Sequence, residues 1–201
     1  MKSTVAMALV ALALLAGCAK APTEKVNAAE AAVNDAKAAG APTYLAEDYA
    51  KVEGMLVSAK QEISEQDAKM AFLRDYGKAE QLLASAQTEA ARVTAEAAKK
   101  KEEAKQVALQ AQAAAAESVK KAQDLVAKAP VGKDRAAVQA IKADAQGLEM
   151  SLNEVKAAID GGDYQGAQAK AKAIQEKSDL LVNEVEAALS KVGKGKPAKK
   201  K

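Results

Sequence analysis

The sequence predicts an all-α fold: elongated antiparallel helical hairpins, or coiled-coil three-helix modules, sharing a long central helix. Three observations predict it. Apolar residues recur every three or four positions along nearly the whole chain, which is the spacing of one helix face. All four prolines, Pro22, Pro42, Pro130 and Pro197, fall between periodic stretches, where they break no helix. Aromatic residues make up only 2% of a chain rich in alanine, so thin helices packed closely through alanine fit better than a thick core.

Residues 1–17 form the first element. Lys2 supplies a positive start, and "VAMALVALALLAG" gives an apolar run of signal-peptide length, shorter than the roughly twenty residues a membrane span needs. The run ends at Cys18, the single cysteine of 201 residues, which cannot form an internal disulfide. Leu15-Ala16-Gly17-Cys18 resembles the lipobox of bacterial lipoproteins. That resemblance implies cleavage before Cys18 and attachment of lipid to it. Several acyl chains, at about 0.8 kcal/mol per buried methylene, make a durable anchor. With Ala19 rather than aspartate after the cysteine, the enterobacterial sorting rule sends such a protein to the outer membrane, facing the periplasm.

Residues 18–102 read as an N-terminal helical hairpin module. Val26, Ala29, Val33 and Ala36 mark its first helix, which Gly40 and Pro42 stop. The next helix begins near Thr43. Leu45, Tyr49, Val52, Leu56, Ala59, Ile63 and Met70 form its heptad seam, broken only at Gln66. Gly54 lies inside it and would permit close approach of another helix. The longest helix runs from about Asp75 to Ala129. Its seam is Ala79, Leu83, Ala86, Ala90, Val93, Ala97, Ala104, Val107, Ala111, Ala114 and Leu125, interrupted by Lys100, Ser118 and Lys121.

Residues 103–190 read as a second hairpin module. Val138, Ile141, Ala145, Leu148, Leu152, Val155 and Ile159 carry one helix, which Gly161-Gly162 ends. Asp163 can cap the next, whose seam is Ala167, Ala171, Ile174, Leu181, Val185 and Ala188, with Ser178 as its polar member. An internal repeat joins the modules. "DYGKAEQLLASAQ" at 75 matches "DYQGAQAKAKAIQ" at 163 at an offset of 88, whereas the preceding helices match at 96. The first connection is therefore eight residues longer, filled by "SEQDAKMAFLRDY". Tyr76 and Tyr164, one per copy, read either as staples packing back across the hairpin turn or, more sharply, as ligand-binding aromatics.

Residues 191–201, "KVGKGKPAKKK", hold six lysines and no acid, against a formal net charge of +3 for the whole chain. A flexible cationic tail thus follows a mildly acidic body. Lys199, Lys200 and Lys201 can be a solvated end, a contact for an anionic surface such as peptidoglycan or lipid, or a covalent attachment point.

The same composition argues against catalysis. No histidine is present, Cys18 is committed to lipid, and the carboxylates mostly alternate with lysine as on a solvated helix face. "IDGGDY" lacks the lysine and hydroxyl residue of a phosphate loop. No enzyme activity, cofactor, metal, nucleic acid or small-molecule substrate is expected. Residues 22–98 resemble the alanine-rich helical bacterial lipoproteins of a domain-of-unknown-function family, through "AAEAAVNDAKAAGAPTYLAEDYAKVEGML", "EQDAKMAFLRDY" and "KAEQLLASAQ". That likeness implies an envelope location and a helical hairpin, and no activity. The lipobox, alanine-rich heptads and terminal lysine also resemble Braun-type lipoproteins, which implies that Lys201 is a candidate for linkage to peptidoglycan.

The function expected is a membrane-anchored, non-enzymatic envelope spacer or scaffold, partnered by the membrane through Cys18 and by peptidoglycan or an envelope protein. The alternatives are a regulatory or chaperone-like module binding an amphipathic helix of an envelope enzyme or secretion component, and a stress-type hydrophilic helix former.

Overall fold

The computed structural model describes residues 20–128 and 135–193. Cys18, Pro130, Pro197 and residues 194–201 of the lysine tail lie outside the described residues, while residues 191–193, expected in that tail, end the last helix. Within them every regular element is helical and no strand occurs: α1 (Thr23–Ala38), α2 (Ala41–Tyr44), α3 (Ala46–Asp67), a 3-10 turn (Ala71–Leu73), α4 (Gly77–Lys128), α5 (Arg135–Asp160) and α6 (Tyr164–Gly193). The contacts divide the chain between Lys101 and Glu102 into two units, and α4 contributes to both.

In the first unit α1 ends as its sequence requires. Gly40 adopts φ +94°, and a Cβ there would stand 3.1 Å from the Tyr44 ring, so both the left-handed backbone and the close contact favour glycine. The following helix is not one piece beginning at Thr43. Pro42, which has no N–H to donate, sits in the single turn of α2, the chain opens at Leu45 (φ −144°), and α3 starts at Ala46. That break leaves Leu45 buried in the core. Ion pairs fix the directions of the helices. Lys25 of α1 meets Glu80 of α4 at 2.7 Å, Gln87 donates to the Lys25 carbonyl at 3.2 Å, and Gly40 after α1 lies beside Lys101, so α1 runs parallel to α4. Asp48 with Arg92 at 3.3 Å, and Glu62 with Lys78, make α3 antiparallel to it. Between the three helices lie Ala29, Val33, Val52, Leu56, Leu83 and Val93, with alanines at 36, 59, 90 and 97.

The second unit repeats this plan. The α5–α6 hairpin closes on Gly162 (φ +79°), with the Gly162 and Asp163 amides donating to the Ile159 and Ala158 carbonyls. Asp163 Oδ1 caps α6 by accepting from the Gly166 amide at 2.9 Å. Lys170 pairs with Glu154 at 2.8 Å, as antiparallel neighbours do. Gln168 and Gln175 donate to the Ala104 and Ala111 carbonyls, so α6 runs parallel to α4. Gln87 and Gln175 stand 88 residues apart, at the same place in the two sequence copies, and each ties a third helix to the backbone of a first. The long helix is therefore the third helix of one unit and the first of the next. Of the expected seams of α5 and α6, Ala145, Leu148, Val155, Ala167, Ala171, Ile174, Leu181 and Val185 are core, with Ile141, Leu152 and Ile159 packed against them; Val138 is half-buried outside that core, and the Ala188 side chain lies outside the described residues.

Three further expectations need correction. The seam of α4 does not continue as a strict heptad past Ala97. Val107 is 48% exposed and Ala114 lies on the surface, while Ala108, Ala115, Val119, Ala122 and Val126 are buried. From Ala97 to Ala108 is eleven residues, close to three full turns of an undistorted helix, whereas heptads would have carried Lys100, Ser118 and Lys121 inward. Met70 is also not a seam residue. Helix α3 stops at Asp67, three residues before it, and Met70 is 66% exposed. Gly54 permits no close approach, since a Cβ built there meets no atom within 4 Å.

Candidate functional site

The eight extra residues of the first connection form the most unusual surface among the described residues. Between α3 and α4 the chain exposes Met70, Phe72 and Leu73 together, with Phe72 77% exposed. Phe72 is the sole phenylalanine of the protein. A large apolar side chain left in water forgoes about 1.5–3 kcal/mol of burial, so three adjacent ones call for an explanation that folding does not supply.

A polar frame holds this turn. Gln66, the one polar break in the α3 seam, is buried at its centre. Its amide donates to Glu62 Oε1 at 2.8 Å, and its Oε1 accepts from Lys69 Nζ at 2.9 Å and from the Asp75 amide at 3.1 Å. Arg74 spans the turn, donating to the Lys69 carbonyl at 3.0 Å and the Asp67 carbonyl at 2.8 Å. Asp75 Oδ1 accepts from the Gly77 amide at 2.9 Å and starts α4. Tyr76 is buried and reaches back across the hairpin, its hydroxyl donating to Asp67 Oδ1. Here the staple reading of the repeat tyrosines holds, and Tyr164 likewise packs against the core of its own unit.

The frame shifts its ionisable groups. Hydrogen bonds from Lys78 and Gln66 hold the Glu62 carboxyl below its ordinary range, against the opposing effect of burial. The same contact raises Lys78. The hydrogen bond to Asp67, then burial, push the Tyr76 phenol above its ordinary value. The backbone of the turn is thus tied at both ends, while its apolar side chains are left in solvent.

Sequence reasoning did not single out Met70, Phe72 and Leu73 as a surface. The clue was present: the only phenylalanine falls inside the one stretch with no counterpart in the second repeat. Of the site residues the sequence did single out, Cys18, Lys199, Lys200 and Lys201 all lie outside the described residues. Among the described residues no group of His, Cys, Asp or Glu side chains is placed to hold a metal, and no helix is long and apolar enough to cross a membrane. A second feature is an open groove between α5 and α6, lined by Gly147, Leu148, Ser151, Lys177, Leu181 and the exposed Leu180. No family model, curated protein or solved structure matches the chain.

Proposed function

We propose that this protein is a lipid-anchored lipoprotein of the bacterial cell envelope, held at the outer membrane facing the periplasm and acting as a non-enzymatic spacer or scaffold. The observation that carries this reading is Leu15-Ala16-Gly17-Cys18 at the end of a run too short to span a bilayer, with the only thiol of the chain at the attachment position. The repeated three-helix units support it, being built from narrow alanine seams with largely charged outer faces. The lysines of the tail provide a second contact, drawn to anionic cell-wall polymer, or joined to it covalently at Lys201 as the Braun-type likeness implies.

The test has two parts. Radiolabelled palmitate enters the wild type and not Cys18→Ser, and the variant accumulates as precursor or as soluble protein; equal labelling of both removes the anchor. Sacculi boiled in detergent and digested with a muramidase then report the tail. Covalent linkage leaves a bound fraction that disappears when Lys201 is deleted. Electrostatic contact instead gives sedimentation with sacculi at low salt and release at about 0.5 M salt.

The α5–α6 groove favours a second reading, a regulatory or chaperone-like module that takes an amphipathic helix of an envelope enzyme or secretion component against Leu180 and Leu148. Pull-down from cross-linked envelopes separates the two. A scaffold enriches cell-wall material, and a regulator enriches one stoichiometric protein that Leu180→Asp releases.

A further inference from the structure

The exposed turn and the start of α1 belong to the same end of the first unit. Lys25, in the first turn of α1, is bound to Glu80 and Gln87, in the first three turns of α4. Glu30, farther along α1, pairs with Lys60, and Gly40 at its end lies beside Lys101. The start of α1 therefore stands next to the start of α4, and the start of α4 is where the Met70–Leu73 turn ends. Cys18 precedes Thr23 by five residues, so chain length alone keeps it within about 18 Å of the α1 start. Whatever surface holds Cys18 also lies within reach of Met70, Phe72 and Leu73.

From this juxtaposition we infer that the turn is a second membrane contact: Met70, Phe72 and Leu73 enter the interfacial layer of the same bilayer that holds lipidated Cys18. The inference rests on the anchor reading for its setting in the cell, and on the geometry of the first unit for its substance. The side chains suit the task, being large apolar groups on a short turn. The frame suits it as well. Gln66 and Arg74 satisfy backbone groups that flank the turn, at Asp67, Lys69 and Asp75, and the Leu73 amide donates to the Met70 carbonyl, so these groups need no water when the tip enters the interfacial layer. Charges around the turn nearly cancel, with Lys69, Arg74 and Lys78 set against Glu62, Glu65, Asp67 and Asp75. The contact is therefore apolar, and salt leaves it in place, unlike an electrostatic contact made by the lysine tail.

The composition of the chain permits a clean test. It contains one cysteine and no tryptophan. The chain from Cys18 to Lys201 is coupled through its thiol to maleimide-bearing lipid in phosphatidylethanolamine–phosphatidylglycerol vesicles, which places residue 18 at the bilayer whether or not cells acylate it. Phe72→Trp then gives a single indole in the turn, and Lys37→Trp, in a separate chain, gives one near the other end of α1. The expected result is a blue-shifted indole at position 72, quenched by lipids carrying a spin label high on the acyl chain and unchanged in about 0.5 M salt. The indole at position 37 should show neither effect. Met70→Ser with Leu73→Ser, added to Phe72→Trp, lowers the inserted population by about tenfold per side chain removed. If the indole at position 72 of the tethered protein is as wet and as little quenched as the one at position 37, the inference is overturned. A blue shift at position 72 that needs high protein concentration and no lipid overturns it equally, assigning the turn to a second copy of the chain. Palmitate labelling of Cys18 is a separate readout, so loss of the anchor reading and loss of this contact are distinguished.

Discussion

Replacing Val119 and Val107 by alanine, one at a time, tests where the buried face of α4 runs in the second unit. Both are valines of the same helix, but Val119 is 2% exposed and Val107 is 48% exposed. Val119→Ala removes two buried methyl groups at about 0.8 kcal/mol each and leaves a small cavity, a loss near 2 kcal/mol in all. Alanine's better helix propensity returns about 0.5 kcal/mol at both positions, so it cancels in the comparison. The expected outcome is a net loss of about 1.5 kcal/mol for Val119→Ala, and a change within about 0.5 kcal/mol for Val107→Ala. Urea unfolding of the full mature chain, followed by circular dichroism at the helix band, measures both. For a chain of this size the heat-denaturation midpoints should differ by roughly 3–6 °C. Equal losses at the two sites, or a larger one at Val107, would restore the unbroken heptad and refute the eleven-residue step from Ala97 to Ala108.

Two further predictions follow from polar groups in the core. Ser178 is fully buried and its hydroxyl has no partner, so Ser178→Ala should raise the urea midpoint, by about 1 kcal/mol in stability, and a loss on substitution would mean the hydroxyl is bonded in solution. Glu62 has a carboxyl held below its unfolded value, so its contribution is present above the ordinary carboxylate range and lost as pH falls through the lowered one. Acidification from neutral pH should therefore cost the wild type more stability than Glu62→Gln, and identical acid profiles would dismiss the Lys78–Glu62–Gln66 chain as a stabilising contact.

Much of this architecture could be read from residue order because its determinants are local. Helix spacing, proline placement, Gly40 and Gly162 each act within a few residues, and the Asp-Tyr-x-x-Ala repeat marks the same turn twice. What escaped was set by longer-range geometry. Lys100, Ser118 and Lys121 looked like three separate interruptions of one heptad, yet one change of step after Ala97 removes Lys100 and Lys121 from the buried face and leaves Ser118 at its margin. Gln66 looked like a flaw in an apolar seam. Its value lies in bonds to Lys69 and Asp75, residues that periodicity does not bring to it. Met70 fitted the arithmetic of the seam, but the frame around Gln66 ends α3 before the seam can reach it. Cys18 and the terminal lysines are legible as chemistry alone, through the lipobox and the charge run.

The double role of α4 also sets a rule of growth. A bundle that shares no helix with its neighbour gains a new three-helix unit only by adding three helices. Here the closing helix of one unit runs on to open the next, so a further unit takes an extension of that helix and one hairpin. Gene duplication in steps of a half-helix and its hairpin would lengthen such a protein without disturbing the cores already formed, much as solenoid arrays extend by whole repeats. The same rule offers a route for engineering. A copy of residues 102–193, joined in frame after α6, would prolong α6 as the second half of α4 prolongs its first, and would bring the hairpin that packs on that extension.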